Sequence, residues 1–163
     1  MFASEFIDAF SRVPWFVVPI IYVPLITAFI AKGASAGVSW WGLAIQLAVG
    51  WFAWTLLEYW LHRTLFHWQP ATSWGPRFHF ILHGVHHKWH QDRYRLVMPP
   101  AASLGLAVLF FGLTWLSGKA LAPLFADTWI WAFFGGLAWG YLVYDMVHYY
   151  TPVSYTHLRA HET

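Results

Sequence analysis

The sequence predicts an all-α integral membrane protein with four transmembrane helices and a cytosolic, histidine-rich cap. Of its 163 residues, 59% are hydrophobic and only 10% are charged, and the mean hydropathy is +0.48. Soluble domains carry about 25% charged residues, because their surface must face water. This chain has too few charges for such a surface, whereas its long apolar stretches suit a lipid bilayer.

Four apolar stretches mark the expected spans. About 20 helical residues cross a bilayer core that is roughly 30 Å thick. Tryptophans fall near the ends of the stretches, at the depth where indole rings prefer to lie. Pro99 and Pro100 suit the first turn of the third helix, where backbone N–H groups have no helical acceptor. We therefore expect transmembrane helices near residues 13–31, 40–60, 100–117 and 128–149.

The basic residues predict how the chain is oriented. Five of them lie between His62 and Arg95, whereas the loops on the other side contain only Lys32 and Lys119. Cytoplasmic loops carry the excess of lysine and arginine, so the central segment and the N-terminus are expected in the cytoplasm. A formal net charge of +2 gives no reason to expect nucleic acid as a partner. The absence of cysteine excludes disulfides and thiolate metal sites.

Eight of the ten histidines come from three segments that this topology brings to one face of the membrane. Two follow the second span, five lie in the central segment, and one ends the fourth span: His62 and His67, then His79, His83, His86, His87 and His90, then His148. Neutral imidazole is a good ligand for iron, zinc and copper. The pattern therefore favours a transition-metal site over the alternatives, a pH sensor or a chance surface cluster.

The spacing of the histidines limits how they converge. His83, His86 and His87 lie on one face of a helix, since residues three and four apart are neighbours there. His62 and His67 are five apart, about 140° around an ideal helix. These two converge only if the helix end unwinds, or they serve two different metals.

Two acidic residues fall at the same depth as histidines. Glu58 precedes His62 by four residues and Asp145 precedes His148 by three, so each carboxylate is expected to accept the free N–H of a ligand histidine. The alternative is an interfacial acid that reaches water. Asp92 and Arg95, three apart, are candidates for the same supporting role or for a solvated ion pair.

Three stretches resemble the fatty acid hydroxylase superfamily of membrane di-metal oxygenases: "HRTLFH", "LHGVHHKWHQDRYRLVMPP" and "YDMVHYY". The resemblance runs from about Glu58 to Thr151 and is greatest to the fatty acid 2-hydroxylase branch, because "RLVMPP" follows the His-x-x-His-His box. It implies that the metal ligands are His62, His67, His83, His86, His87 and His148. His79 and His90 are not implied as ligands.

The resemblance also implies the chemistry. Two iron ions, which zinc can replace on purification, would use O₂ and two electrons to hydroxylate a lipid acyl chain at carbon 2. The electrons would come from a separate membrane-associated or soluble redox partner. Two alternatives stay open. One is a sterol or carotenoid hydroxylase or a desaturase of the same superfamily, and the other is a non-enzymatic histidine-rich metal or haem protein.

The last eleven residues, "VSYTHLRAHET", resemble no part of that family. They agree at every position with one translated frame of a common sequencing-library adapter. We therefore expect residues 1–151 to be a hydroxylase-like membrane domain that is truncated at its C-terminus. Residues 152–163 would then be a non-native tail, and His157 and His161 would not belong to the site. The family expects another ligand at the position of Pro152 and a further histidine box beyond it, so this fragment is expected to be inactive.

Overall fold

The computed structural model describes residues 12–66, 68, 70–80, 92–124 and 126–159, with the backbone alone for residues 66, 78 and 152–159. Every regular element among these residues is helical, which confirms the all-α prediction. The long helices are α1 (Val17–Ser35), α2 (Trp40–Trp60), α4 (Pro100–Leu121) and α5 (Trp129–Arg159). A short helix, α3 (Gly75–His79), lies between α2 and α4.

The four predicted transmembrane helices are confirmed. Within the described residues, four helical stretches are long and apolar enough to cross a membrane: Val17–Ser35, Trp40–Leu65, Arg93–Leu121 and Trp129–Thr151. Their exposed side chains include large apolar residues such as Ile20, Phe52 and Val108. In a bilayer these residues face lipid, where exposing apolar surface carries no penalty. The chain is an integral membrane protein.

The chain forms two compact units. The membrane unit consists of Phe16–Thr55 and Pro100–Tyr144. The histidine unit consists of Met1–Trp15, Leu56–Pro99 and Asp145–Thr163. Helices α2 and α5 each begin in the membrane unit and end in the histidine unit, so both units are built on the same two helices.

Helix α5 is the central helix of the membrane unit. Of the most apolar 18 residues of α5, 56% are buried, whereas the same share in α1, α2 and the stretch containing α4 lies between 11% and 22%. Its Phe134 contacts Phe29 of α1 and Phe111 of α4, with ring centroids 4.7 and 5.2 Å apart. Its Tyr141 lies 4.6 Å from the ring of Tyr22. The other helices therefore pack around α5 through aromatic contacts.

Glycines let α2 approach α5 closely. A Cβ atom added at Gly50 of α2 would overlap the carbonyl oxygen of Phe133, and one at Gly136 of α5 would overlap that of Leu47. A Cβ at Gly140 would lie 2.6 Å from the Cβ of Trp54. Small residues four apart, as in Gly136-x₃-Gly140, allow the backbones of membrane helices to come into contact. At these positions any larger residue would force the helices apart.

We predict that Gly136→Leu disrupts the packing of α2 on α5. Overpacking a close contact typically costs about 1–3 kcal/mol, and here the obstacle is backbone, which cannot rotate away. Thermal unfolding in detergent should show a clearly lower Tm. Gly112→Leu on α4 is the matched control, because a Cβ there would meet no atom within 4 Å. An equal Tm for the two variants would contradict this account of the packing.

Candidate functional site

His62 lies on a widened helical turn at the end of α2. The chain continues from Trp60 as a π-helix over Leu61–Phe66, and His62 is half-buried within it. Residues five apart are hydrogen-bonded neighbours in a π-helix, and such turns are frequent at functional sites. His-x₄-His spacing is one turn of this winding. A helix end that departs from α-geometry is one of the two conditions given above for this pair, and the π-helix meets it. His67 lies outside the described residues, so the convergence of the two histidines stays a prediction.

Two side-chain contacts lie at this turn. The hydroxyl of Thr64 donates to the carbonyl oxygen of Trp60 at 2.6 Å. The same kind of bond occurs within α1, α4 and α5, so it does not by itself widen the turn. One residue earlier, the guanidinium of Arg63 donates to the Tyr59 hydroxyl at 2.6 Å and lies 5.9 Å from the centre of its ring.

His148 lies on α5, half-buried, three residues after Asp145. The Asp145 residue is only 3% exposed, and its Oδ1 accepts the backbone N–H of Met98 at 3.2 Å. Met98 is followed by Pro99 and by Pro100, the first residue of α4, so its N–H lies outside that helix and has no acceptor in it. The carboxylate thus joins two segments that are 47 residues apart. A bond from Asp145 to a histidine stays a prediction.

Asp92 and Arg95 form a compact turn. Asp92 caps the 3₁₀-helix Arg93–Arg95 by accepting the N–H of Tyr94 at 3.1 Å through Oδ1. Its Oδ2 accepts from Nε of Arg95 at 2.9 Å, and the Arg95 side chain is only 6% exposed. The pair is therefore formed and its cation is buried, unlike a solvated surface pair. The supporting role toward a histidine predicted for these two residues, and for the half-buried Glu58, stays a prediction.

The described residues contain only part of the predicted ligand set. They include His62 and His148, and also His79 at the end of α3. Among them, no three potential ligands lie close enough together to hold a metal ion. The other predicted ligands, and His90, lie outside the described residues: His67, His83, His86 and His87.

The donors that are described fit a transition metal. His62 lies in the π-helix that continues α2, and His148 lies on α5. Glycines allow close contact between these two helices within the membrane unit. Both offer imidazole nitrogen, a ligand type that suits iron, zinc and copper and is a poor match for magnesium or calcium. The π-helical turn supplies the winding that a His-x₄-His pair needs.

The membrane unit contains a small apolar cavity of about 30 Å³. All four long helices contribute to its walls, among them Tyr22, Trp54, Ala107, Phe110, Leu137 and Ala138. Ligand pockets span roughly 300–1,000 Å³, so this cavity is far smaller than a lipid-binding pocket.

Comparison with known proteins identifies relatives of this chain. A family model described as fatty acid hydroxylase matches residues 47–162, which is more than half of the chain. The chain is 40% identical over 150 residues to a dihydroceramide fatty acyl 2-hydroxylase of Arabidopsis thaliana, covering 91% of this chain and 60% of that protein. It is 33% identical over 178 residues to a fatty acid 2-hydroxylase of Homo sapiens, covering 96% of this chain and 46% of that protein.

A solved structure has the same fold. It is described as full-length scs7p with only the hydroxylase domain visible, and it superimposes with a TM-score of 0.78 at 33% identity. The match covers 90% of this chain and 54% of that one. This chain therefore spans about three fifths or less of the length of the relatives described here.

Proposed function

This chain belongs to the fatty acid hydroxylase family, and from that premise we propose that the protein of which it is part hydroxylates the acyl chain of a membrane lipid at carbon 2. The observation that carries the proposal is its similarity to several proteins named as 2-hydroxylases, over 90% or more of its length. These names favour 2-hydroxylation over a sterol, a carotenoid or a desaturation reaction.

The proposed metal centre is a pair of iron ions held by the imidazoles of His62, His67, His83, His86, His87 and His148, with further ligands beyond this chain. Bound iron would supply the reductive activation of O₂ that allows an unreactive C–H bond to be cleaved. The overall reaction consumes the C–H bond, O₂, two electrons and two protons, and yields an alcohol and water. We propose that the two electrons come from a membrane-associated or soluble redox partner.

The residues of this chain would position the reactants. A carboxylate that accepts the second ring N–H of a ligand histidine fixes its tautomer and raises its basicity, and this is the role proposed for Glu58 and Asp145. The apolar helices would hold the acyl chain and exclude water. We also propose that the N-terminus and the histidine unit are cytoplasmic, as the distribution of basic residues suggests.

Expression of the complete gene in a host that lacks acyl 2-hydroxylation tests the proposed reaction. We expect 2-hydroxy acyl lipids to appear in mass spectra of extracted lipids, and to be absent with the His86→Ala variant. If the wild-type protein binds iron and no 2-hydroxy acyl species forms, the proposed reaction is wrong.

The ligand assignment predicts different consequences for two neighbouring histidines. His86→Ala in the full-length protein should lower iron affinity at least tenfold, because it removes a proposed ligand from the iron. His90→Ala, four residues later, should leave iron content near that of the wild type. Elemental analysis of the purified variants measures both. Equal iron content would contradict the assignment.

We propose that residues 153–163 derive from adapter sequence rather than from the gene. The alternative is a native tail, which the family match through residue 162 and the continuation of α5 to Arg159 leave open. Sequencing of cloned source DNA across codon 151 should show a different continuation that encodes further histidines. The same eleven codons in cloned DNA would disprove the adapter origin.

A further inference from the structure

We infer that the segment Arg12–Trp15, which precedes the first transmembrane helix, is a clamp that positions the histidine unit for metal binding. This inference rests on the proposed metal centre. It assigns a role to residues far from every histidine in sequence, and the contacts that carry it all lie within the histidine unit.

The clamp begins with two contacts to the turn 92–95. The backbone N–H of Val13 donates to the carbonyl oxygen of Tyr94 at 2.7 Å, a short and therefore well-formed bond. The guanidinium of Arg12 lies 3.7 Å from Oδ2 of Asp92 and 5.9 Å from the centre of the Tyr94 ring. Val13 itself is buried, at 7% exposure. The clamp is thus attached to the turn 92–95 by the backbone of Val13 and the charge of Arg12, and the Val13 side chain is buried.

The turn 92–95, which the clamp contacts, follows the central histidine segment in the sequence. Asp92 follows His90 by two residues, and its carboxylate binds Tyr94, Arg95 and Arg12 together. Immediately after the turn, Leu96 and Val97 are 2% and 3% exposed. A carboxylate with three partners and two fully buried neighbours leaves this part of the backbone little freedom.

The other end of the clamp reaches the part of α5 that follows His148. The ring of Trp15 lies 6.1 Å from the rings of both Tyr149 and Tyr150, and Tyr149 is buried. Asp145 of α5 makes a second link to this part of the chain, since it accepts the N–H of Met98 at 3.2 Å. The segments that flank two sets of proposed ligands are therefore joined by Arg12–Trp15 at one place and by Asp145 at another.

These contacts suit a positioning role because metal ligands need support around them. Removing groups that orient ligands typically lowers metal affinity by 10–100-fold. None of the clamp residues can bind iron through its side chain, so they would act only through the backbone that carries the histidines.

The test uses the full-length protein with Arg12→Ala and Trp15→Leu. We expect each variant to bind iron at least tenfold more weakly than the wild type, measured by competition with a chelator, and to show a broadened iron Mössbauer spectrum. Arg12→Lys should restore affinity, because it keeps the charge beside Asp92. Arg77→Ala, an exposed arginine of the same unit outside the clamp, is the matched control.

Each outcome decides the inference. Weaker iron binding at an unchanged Tm, with rescue by Arg12→Lys, supports the clamp. Unchanged iron affinity in both variants overturns it, and so does a fall in affinity that only tracks a fall in Tm or that Arg77→Ala reproduces. Should either variant fail to fold, the Tyr94→Leu variant, which removes the ring beside Arg12 but keeps the backbone carbonyl that accepts from Val13, gives the same comparison. The readout is separate from hydroxylation: a wild type that binds iron without hydroxylating lipid refutes the proposed reaction alone.

Discussion

The close approach of α2 to α5 is the constraint on which the rest of the structure depends. Gly50 of α2 faces the backbone of Phe133, and Gly136 of α5 faces the backbone of Leu47. The side chain of Trp54 packs directly on Gly140. In a bilayer the hydrophobic effect does not drive helices together, so van der Waals contact between well-fitted surfaces must do so. The helices fixed in this way are the two that continue to His62 and His148. These contacts therefore set the register of α2 against α5 within the membrane unit.

The histidine unit is organised by a different kind of interaction. Its described contacts include the hydrogen bonds Asp145–Met98 and Val13–Tyr94, which link distant parts of the sequence, beside the aromatic contacts of Trp15. A carboxylate removed from water is stable when its oxygens have donors. The half-buried Asp92 has them in the backbone N–H of Tyr94 and in the guanidinium groups of Arg95 and Arg12. Such groups hold irregular backbone in one conformation where no regular helix can. A metal site built from three separate segments requires that kind of restraint.

The spans could be predicted from sequence because length and apolar composition alone decide whether a helix crosses a bilayer. The observed helices depart from the prediction mainly at their ends: α1 begins at Val17 rather than near residue 13, and α4 continues to Leu121. Arg12 and Val13 are instead bound by contacts to the turn 92–95, which hydropathy does not report. The Gly136-x₃-Gly140 spacing was visible in the sequence, but nothing there identifies α2 as its partner.

Less of the candidate site than of the transmembrane helices could be predicted from the sequence. The spacing of His62 and His67 suits either a departure from α-geometry or two different metals, and the π-helix at Leu61–Phe66 is such a departure. The contact of Asp145 with Met98 could not be predicted, because a carboxylate three residues from a histidine suggests a local bond and gives no sign of one 47 residues away. Long-range backbone contacts of this sort leave no periodic pattern.

The proposed di-iron centre is tested most directly by anomalous X-ray scattering at the iron edge from crystals of the full-length protein. We expect two iron peaks, with His62 and His148 among the nitrogen ligands around them. Iron peaks that lie away from both His62 and His148, or a single metal with oxygen ligands, would contradict it.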